Sequence, residues 1–297
     1  SMPGNPLMVY FGGKGLVTDV IWQRLGDVHN YVEPFLGSGA VLLSRPQPFH
    51  GTETVGDLDG QLVNVWRALK HNPKEVARNL MDPPSGIDMA ARRTALQLDI
   101  LQDLLADPEW HHPKMAAYWL YNQACWLNGV ENSKTPYPTP RLWRNGMGVA
   151  RYRDDGELMA DLLSIRDRLR YVRIVYGDWK RTVTLSSLQS HGLSAVYLDP
   201  PYGVDNRYEL YAQDSRTVSR EAFQWAIENQ HDPLLRVAVS GYSGEHDFPD
   251  SWQVFKWTSH GFIGKHGSQG RINRERERIW FSPVCLLPAT PQQETLW

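Results

Sequence analysis

Cysteine is nearly missing from this chain. Only Cys125 and Cys285 occur in 297 residues, at no metal-ligand spacing, so neither a disulfide framework nor a zinc site is expected. Long apolar runs are missing too: none approaches the about 20 residues that span a bilayer, and the N-terminus has no secretory pattern. Net charge is small. A formal −2 at pH 7 argues against indiscriminate coating of nucleic acid, while leaving room for a local basic face. Internal repeats and low-complexity tracts are absent as well. What is present is a 41% hydrophobic chain, enough to bury a substantial core in one large domain or two modest ones.

The most informative motif is Asp199-Pro200-Pro201-Tyr202, which follows the apolar run Ala195 to Leu198. A short β-prone run ending at two prolines reads as a buried strand that stops at a rigid turn, because proline fixes φ and cannot continue a ladder. Such a turn projects a carboxylate and an aromatic ring together. The exocyclic amine of a nucleobase is a poor nucleophile, since its lone pair is delocalised into the ring. It needs an acceptor that localises that pair and a platform that holds the base flat. Asp199 and the Pro200-Pro201 carbonyls can supply the acceptor, and Tyr202 the platform, where stacking contributes about 1–3 kcal/mol. The similar Asp82-Pro83-Pro84-Ser85 lacks both the strand and the aromatic and reads as an ordinary loop.

A second turn supports the first. In Glu33-Pro34-Phe35-Leu36-Gly37-Ser38-Gly39 the glycines fall between a strand over Tyr31 to Phe35 and a helix beginning at Ala40, where backbone can approach a ligand closely. Tyr10-Phe11-Gly12-Gly13-Lys14 precedes it, and Asp57, in Val55-Gly56-Asp57-Leu58-Asp59, follows. With the Asp-Pro-Pro-Tyr turn, this set resembles the Dam-like, D12-class, N6-adenine DNA methyltransferases along most of the chain. The resemblance implies a Rossmann-like α/β sheet that binds S-adenosylmethionine. Tyr10 would lie against the cofactor with Gly12 and Gly13 beside it, and Lys14 would meet its carboxylate. Glu33, Pro34, Phe35, Gly37, Ser38 and Gly39 would form the enclosing turn. Asp57 would accept from the ribose hydroxyls, or else cap the helix ahead of Gln61. Gly177-Asp178-Trp179 matches a further family motif near the cofactor's adenine, with Asp178 accepting from the amine.

Further strand-like segments at Thr52 to Val55, Val172 to Tyr176, Leu235 to Ser240, Trp252 to Trp257 and Glu277 to Phe281 alternate with helical ones. The helices are expected at Gln61 to His71, Arg181 to Ser190 and Arg220 to Asn229, the rhythm of a parallel α/β sheet. Two βα units between the cofactor strand and the catalytic strand need about 60 residues. About 160 separate Gly39 from Asp199, so about 100 do something else. The surplus has a helical pattern over Met89 to Leu105 and Met115 to Trp126, then a Pro-, Gly- and Asn-rich stretch from Gly129 to Gly148. The expected organisation is therefore a catalytic domain, 1–70 with 171–297, interrupted by a helical insertion over 71–170. In the resembling family this interval is the target-recognition domain. Asn122 to Gly129 is similar to its core segment, whereas Val130-Glu131 departs from the family's aromatic-Arg.

Arg141, Arg144, Arg151 and Arg153 crowd a segment with Trp143, and Lys265 and Arg271 belong to a second basic group. Basic groups interleaved with aromatics suit phosphate contact and base or sugar packing, against the alternative of a solvated face. The expected activity is methyl transfer to adenine N6 in duplex DNA, the base being flipped out of the stack. Cytosine N4, RNA, a protein amide, or a noncatalytic DNA-binding module stay open as alternatives. No metal is expected. The C-terminal Gln293-Glu294-Thr295-Leu296-Trp297 resembles a peptide for a bacterial sliding clamp. The expected location is the cytoplasm of a bacterial or phage-infected cell.

Overall fold

The computed structural model describes residues 15–81, 100–125, 154–201, 209–256 and 277–288. Seven strands form one sheet among them: β1 Asn30–Glu33, β2 Thr52–Asp57, β3 Val172–Tyr176, β4 Ser194–Leu198, β5 Leu235–Tyr242, β6 Gln253–Lys256 and β7 Glu277–Phe281. Their order is β3-β2-β1-β4-β5-β7-β6, with β7 antiparallel to both neighbours and the pairs from β3 through β5 all parallel. This is the expected Rossmann-like sheet. Every residue of β1 and β4 is buried, as parallel strands covered on both faces require.

Side-chain alternation divides the core in two. Tyr31, Ala195, Tyr197 and Ala238 face one layer, while Val32, Val196, Leu198, Val237 and Val239 face the other. The first layer holds α1 Gly15–Leu25, α3 Gly60–His71, α4 Pro73–Met81, α5 Leu101–Leu105, α6 Pro113–Cys125 and α7 Asp155–Leu169. The second holds α8 Leu185–Gln189 and α9 Glu209–Glu228. A short helix, α2 Ala40–Leu43, follows β1 and stops ahead of Pro46 and Pro48. At the start of the central strands Asn30 donates to the Ser194 hydroxyl at 3.1 Å and accepts from the Thr52 hydroxyl at 3.0 Å. That polar row pins the register of β4, β1 and β2.

Several boundaries differ from the sequence expectation. The first strand ends at Glu33, because Pro34 has no N–H to continue the ladder. The helix expected over Arg181 to Ser190 is divided into a 3-10 turn, Trp179–Arg181, and α8. The third helix starts not at Arg220 but at Glu209.

The described helices of the 71–170 interval pack directly on α3. Leu80, Leu101, Leu120 and Leu162 are buried in the same cluster as Leu62 and Leu69 of α3 and Tyr31 of β1. Arg67 of α3 is the polar counterpart of that packing. Its buried guanidinium donates to the carbonyls of Leu105, Asp107 and Trp110 at 3.1, 3.0 and 3.4 Å and to Ile174 of β3 at 3.3 Å. Asn64 adds a reciprocal pair with the backbone of His112, at 3.1 and 2.7 Å. Among the described residues no helix is long and apolar enough to cross a membrane.

Candidate active site

The chain runs from β1 to β2 to β3 toward one edge, then returns past β1 to build β4 on its other side. The C-terminal ends of β1 and β4 therefore flank a topological switch point, the crevice where open α/β sheets take ligands. Both motifs emerge there. Val32 pairs with Val196 as the last pair of that ladder, and the chain leaves β1 one residue later, at Glu33, and β4 two residues later, at Leu198.

The turn after β1 is built around two left-handed residues, Gly37 at φ 53° and Gly39 at φ 68°. Backbone in this region strongly favours glycine. At Gly39 space matters as well as torsion, since an added Cβ would lie 2.8 Å from the Trp66 ring. Gly39→Ala is therefore expected to destabilise the fold by at least about 1–3 kcal/mol. The check is a urea unfolding midpoint that falls with no change in slope.

Asp57, at the end of β2, grips this turn. Its Oδ2 accepts from the Gly37 N–H at 3.0 Å and its Oδ1 from the Asp59 N–H at 2.9 Å. Burial pushes the Asp57 carboxyl up from its ordinary value, and these backbone hydrogen bonds oppose that shift. The helix cap left open as an alternative for Asp57 is filled by Asp59, which accepts from the N–H groups of Gln61 and Leu62 at 3.0 and 3.3 Å. Between the two acids Leu58 is 67% exposed, an apolar side chain held out beside a carboxylate at the mouth of the crevice.

The third strand joins the same rim. The Gly177 N–H donates to the Asp57 carbonyl at 3.1 Å, and the Trp179 and Phe35 ring centroids lie 5.7 Å apart. Asp178 is exposed and caps the following 3-10 turn by accepting from the Lys180 N–H at 2.9 Å. Ser38 is half-buried on the glycine turn, and Pro34 is buried beneath it. Glu33 lies inside the core, where it accepts from the Tyr31 hydroxyl at 2.8 Å. Burial and that carboxylate together hold the Tyr31 phenol well above its ordinary pKa. Asp199 is half-buried at the end of β4, with Pro200 buried and Pro201 exposed.

The structure thus brings Phe35, Gly37, Ser38, Gly39, Asp57, Asp178 and Trp179 to one rim and sets Asp199 and Pro200 beside it. Tyr10, Gly12, Gly13, Lys14 and Tyr202 lie outside the described residues, as do Arg141, Trp143, Arg144, Arg151, Arg153, Lys265, Arg271 and the tail from Gln293 to Trp297. Sequence reasoning missed Leu58, Asp59 and Trp66. Leu58 could have been suspected as an apolar residue between two acids, whereas nothing in the sequence sets Trp66 apart from a core aromatic.

Comparison with known proteins covers the same turn. Residues 10–92 match the D12 class N6 adenine-specific DNA methyltransferase family. That stretch of the D12-class match contains the glycine turn, Asp57 and Leu58. The enzyme class it indicates is an adenine-specific DNA methyltransferase. A longer alignment, 24% identical over 216 residues, relates the chain to the Type II methyltransferase M.MjaIII of Methanocaldococcus jannaschii and covers 68% of this chain and 70% of that protein. Among the described residues no group of three or more His, Cys, Asp or Glu could hold a metal ion.

Proposed function

We propose that the protein transfers a methyl group from S-adenosylmethionine to N6 of an adenine flipped out of a specific duplex sequence. The observation that carries this reading is the convergence of two turns, one glycine-rich and one bearing Asp199-Pro200, at the ends of adjacent parallel strands.

The rim fits such a cofactor in its own chemistry. Left-handed glycines leave backbone uncovered, Asp57 is a fixed carboxylate for ribose hydroxyls, and exposed Leu58 offers an apolar face to the adenine. Asp178 is the acceptor for the adenine amine, and Phe35 with Trp179 walls that side. Lys14 is the partner of the cofactor carboxylate. When bound, S-adenosylmethionine supplies a methyl group on a sulfonium, already activated for transfer.

The chain's own contribution is to present the amine. Asp199 accepts one N6 hydrogen bond and the Pro200 carbonyl a second, which localises the nitrogen lone pair toward the methyl group. Tyr202 stacks on the flipped ring. Fixing the two reactants at the ends of neighbouring strands converts an encounter into an oriented approach, a large part of the available acceleration. Arg141, Arg144, Arg151 and Arg153, with Trp143 and with Lys265 and Arg271, contact the duplex, and the 71–170 interval reads its sequence.

Incubating duplex DNA and RNA with the protein and methyl-labelled cofactor, followed by mass analysis of nucleosides, tests the reading. Label in N6-methyldeoxyadenosine is the expected result. Label confined to N4-methylcytosine or to RNA overturns the substrate, and no label with a folded protein overturns the chemistry.

Asp57 gives a second test. A carboxyl whose folded pKa is raised binds its proton more tightly folded than unfolded, so it adds stability as pH falls through that pKa and burdens the fold above it. Asp57→Asn removes the buried charge but turns an amide NH2 toward one of the two backbone N–H donors, so what is expected is a pH trend: the variant's melting temperature falls relative to wild type as the pH drops through the raised pKa. Its cofactor affinity should drop by about tenfold or more, because hydrogen bonds to a charged acceptor are the strong ones. Thermal melts from acid to neutral pH, paired with calorimetric titration, would show both effects.

A further inference from the structure

Trp66 is the side chain on which the glycine turn rests. Its indole Nε1–H donates to the Gly37 carbonyl at 3.0 Å, while the Gly37 N–H is taken by Asp57 at 3.0 Å. One residue of the turn is thus held by both of its backbone polar groups, from α3 on one side and from β2 on the other. The indole also fills the space that any Cβ at Gly39 would need. Trp66 is 1% exposed, so it acts through the turn rather than on a ligand. Its position on α3 is preset, since Asn64 and Arg67 beside it are tied to the backbone at His112, Leu105, Asp107 and Ile174.

We propose that Trp66 is a positioning residue for cofactor binding: its indole N–H anchors the Gly37 backbone at its carbonyl, and through that residue the N–H held by the Asp57 carboxylate, in the geometry that receives S-adenosylmethionine. The role rests on the cofactor reading given above. Without the indole N–H the Gly37 carbonyl loses its partner, the Gly37–Ser38 peptide is free to rotate, and the left-handed Gly37 backbone that presents its N–H to Asp57 Oδ2 keeps one anchor in place of two. The consequence falls on cofactor affinity. The Asp199 turn is carried by another strand, β4, and should not respond.

Trp66→Phe removes the donor together with the outer edge of the indole that lies against Gly39, so some loss of melting temperature accompanies it. The expected result is a cofactor Kd and KM raised about tenfold, with kcat at saturating cofactor and duplex affinity within about twofold of wild type. A purely structural Trp66 would lower the melting temperature and the active fraction but leave cofactor KM of the folded enzyme alone, and an unchanged KM overturns the proposal. In Trp66→Phe/Asp57→Asn the two losses should combine to less than their product, because both act on the backbone of one residue, Gly37. A full product overturns the link. Wild-type protein gives an arm that does not depend on the variant folding: the assigned Trp66 indole 15N–1H resonance should shift on saturation with S-adenosylmethionine, and an unmoved resonance counts against the role. Wild-type protein that binds no cofactor at all overturns the function itself. Wild-type binding matched by equal binding in Trp66→Phe overturns only the role of Trp66.

Discussion

Asp199→Ala is expected to bind cofactor and duplex nearly as wild type does and to lose methyl transfer by at least about a hundredfold, the scale on which losing one preorganised polar partner of a transition state is felt. Asp199 follows β4, whose five residues are all buried and paired to β5, the first three also to β1, so the substitution leaves the strand that carries it intact. The carboxylate's contribution grows as the amine becomes a nucleophile. Removing an interaction made mainly in the transition state lowers turnover more than affinity. A 2-aminopurine at the target position, which brightens on unstacking, should still report flipping in this variant while product fails to accumulate. Near-normal turnover would move the active site elsewhere.

The second large effect concerns stability and lies at the other end of the sheet. Glu53, at the start of β2, is buried between two buried arginines. Arg168 reaches its two oxygens at 2.6 and 2.8 Å, and Arg45 approaches Oε2 at 3.2 Å. The Phe49 ring lies against both guanidinium groups, with centroids 4.0 and 4.9 Å from their central carbons. Each arginine also donates to a backbone carbonyl, Val28 for Arg45 and Leu42 for Arg168. Those bonds keep both cations in place once the anion is gone. Glu53→Gln preserves volume and removes the charge, leaving two buried cations facing a neutral amide. Breaking a buried ion pair from one side costs about 3–5 kcal/mol. At about 2–4 °C per kcal/mol, melting should fall by about 10 °C. Cofactor affinity measured below that temperature should be unchanged. A shift under about 2 °C would mean that water already screens the cluster.

The central strand β4 was legible because burial on both faces writes itself as an unbroken apolar run, Ala195 to Leu198, and the edge strand β3 because its β-branched residues outweigh one exposed Arg173. The turns were legible because proline and glycine are demanded by backbone torsion, as at Gly37, Gly39 and Pro200, although Pro34, expected within the strand, in fact ends it. Helices were read less well. In α1 the β-branched Val17, Thr18, Val20 and Ile21 have weak helical preference, and it is the burial of Val17, Ile21, Trp22 and Leu25 that decides. The early turns of α9 contain Ser215, Thr217 and Ser219, poor helix formers on their own. There Ser219 is buried and donates to the Glu245 carboxylate at 2.7 Å, a contact from beyond β5 that no local window contains. The same limit hid Trp66 and the division of labour between Asp57 and Asp59. Two acids two residues apart look alike in sequence, and only the hydrogen bonds separate a helix cap from a ligand for the glycine turn.

The most direct test of the central claim is a genome-wide map of methylated adenines in a host with no adenine methylation of its own, expressing either the wild-type protein or Asp199→Ala at equal level. N6-methyladenine confined to one short sequence with the wild type, and missing with the variant, is the predicted result. Adenine marks that persist with Asp199→Ala, or a folded wild-type protein that leaves no adenine marked, would contradict it.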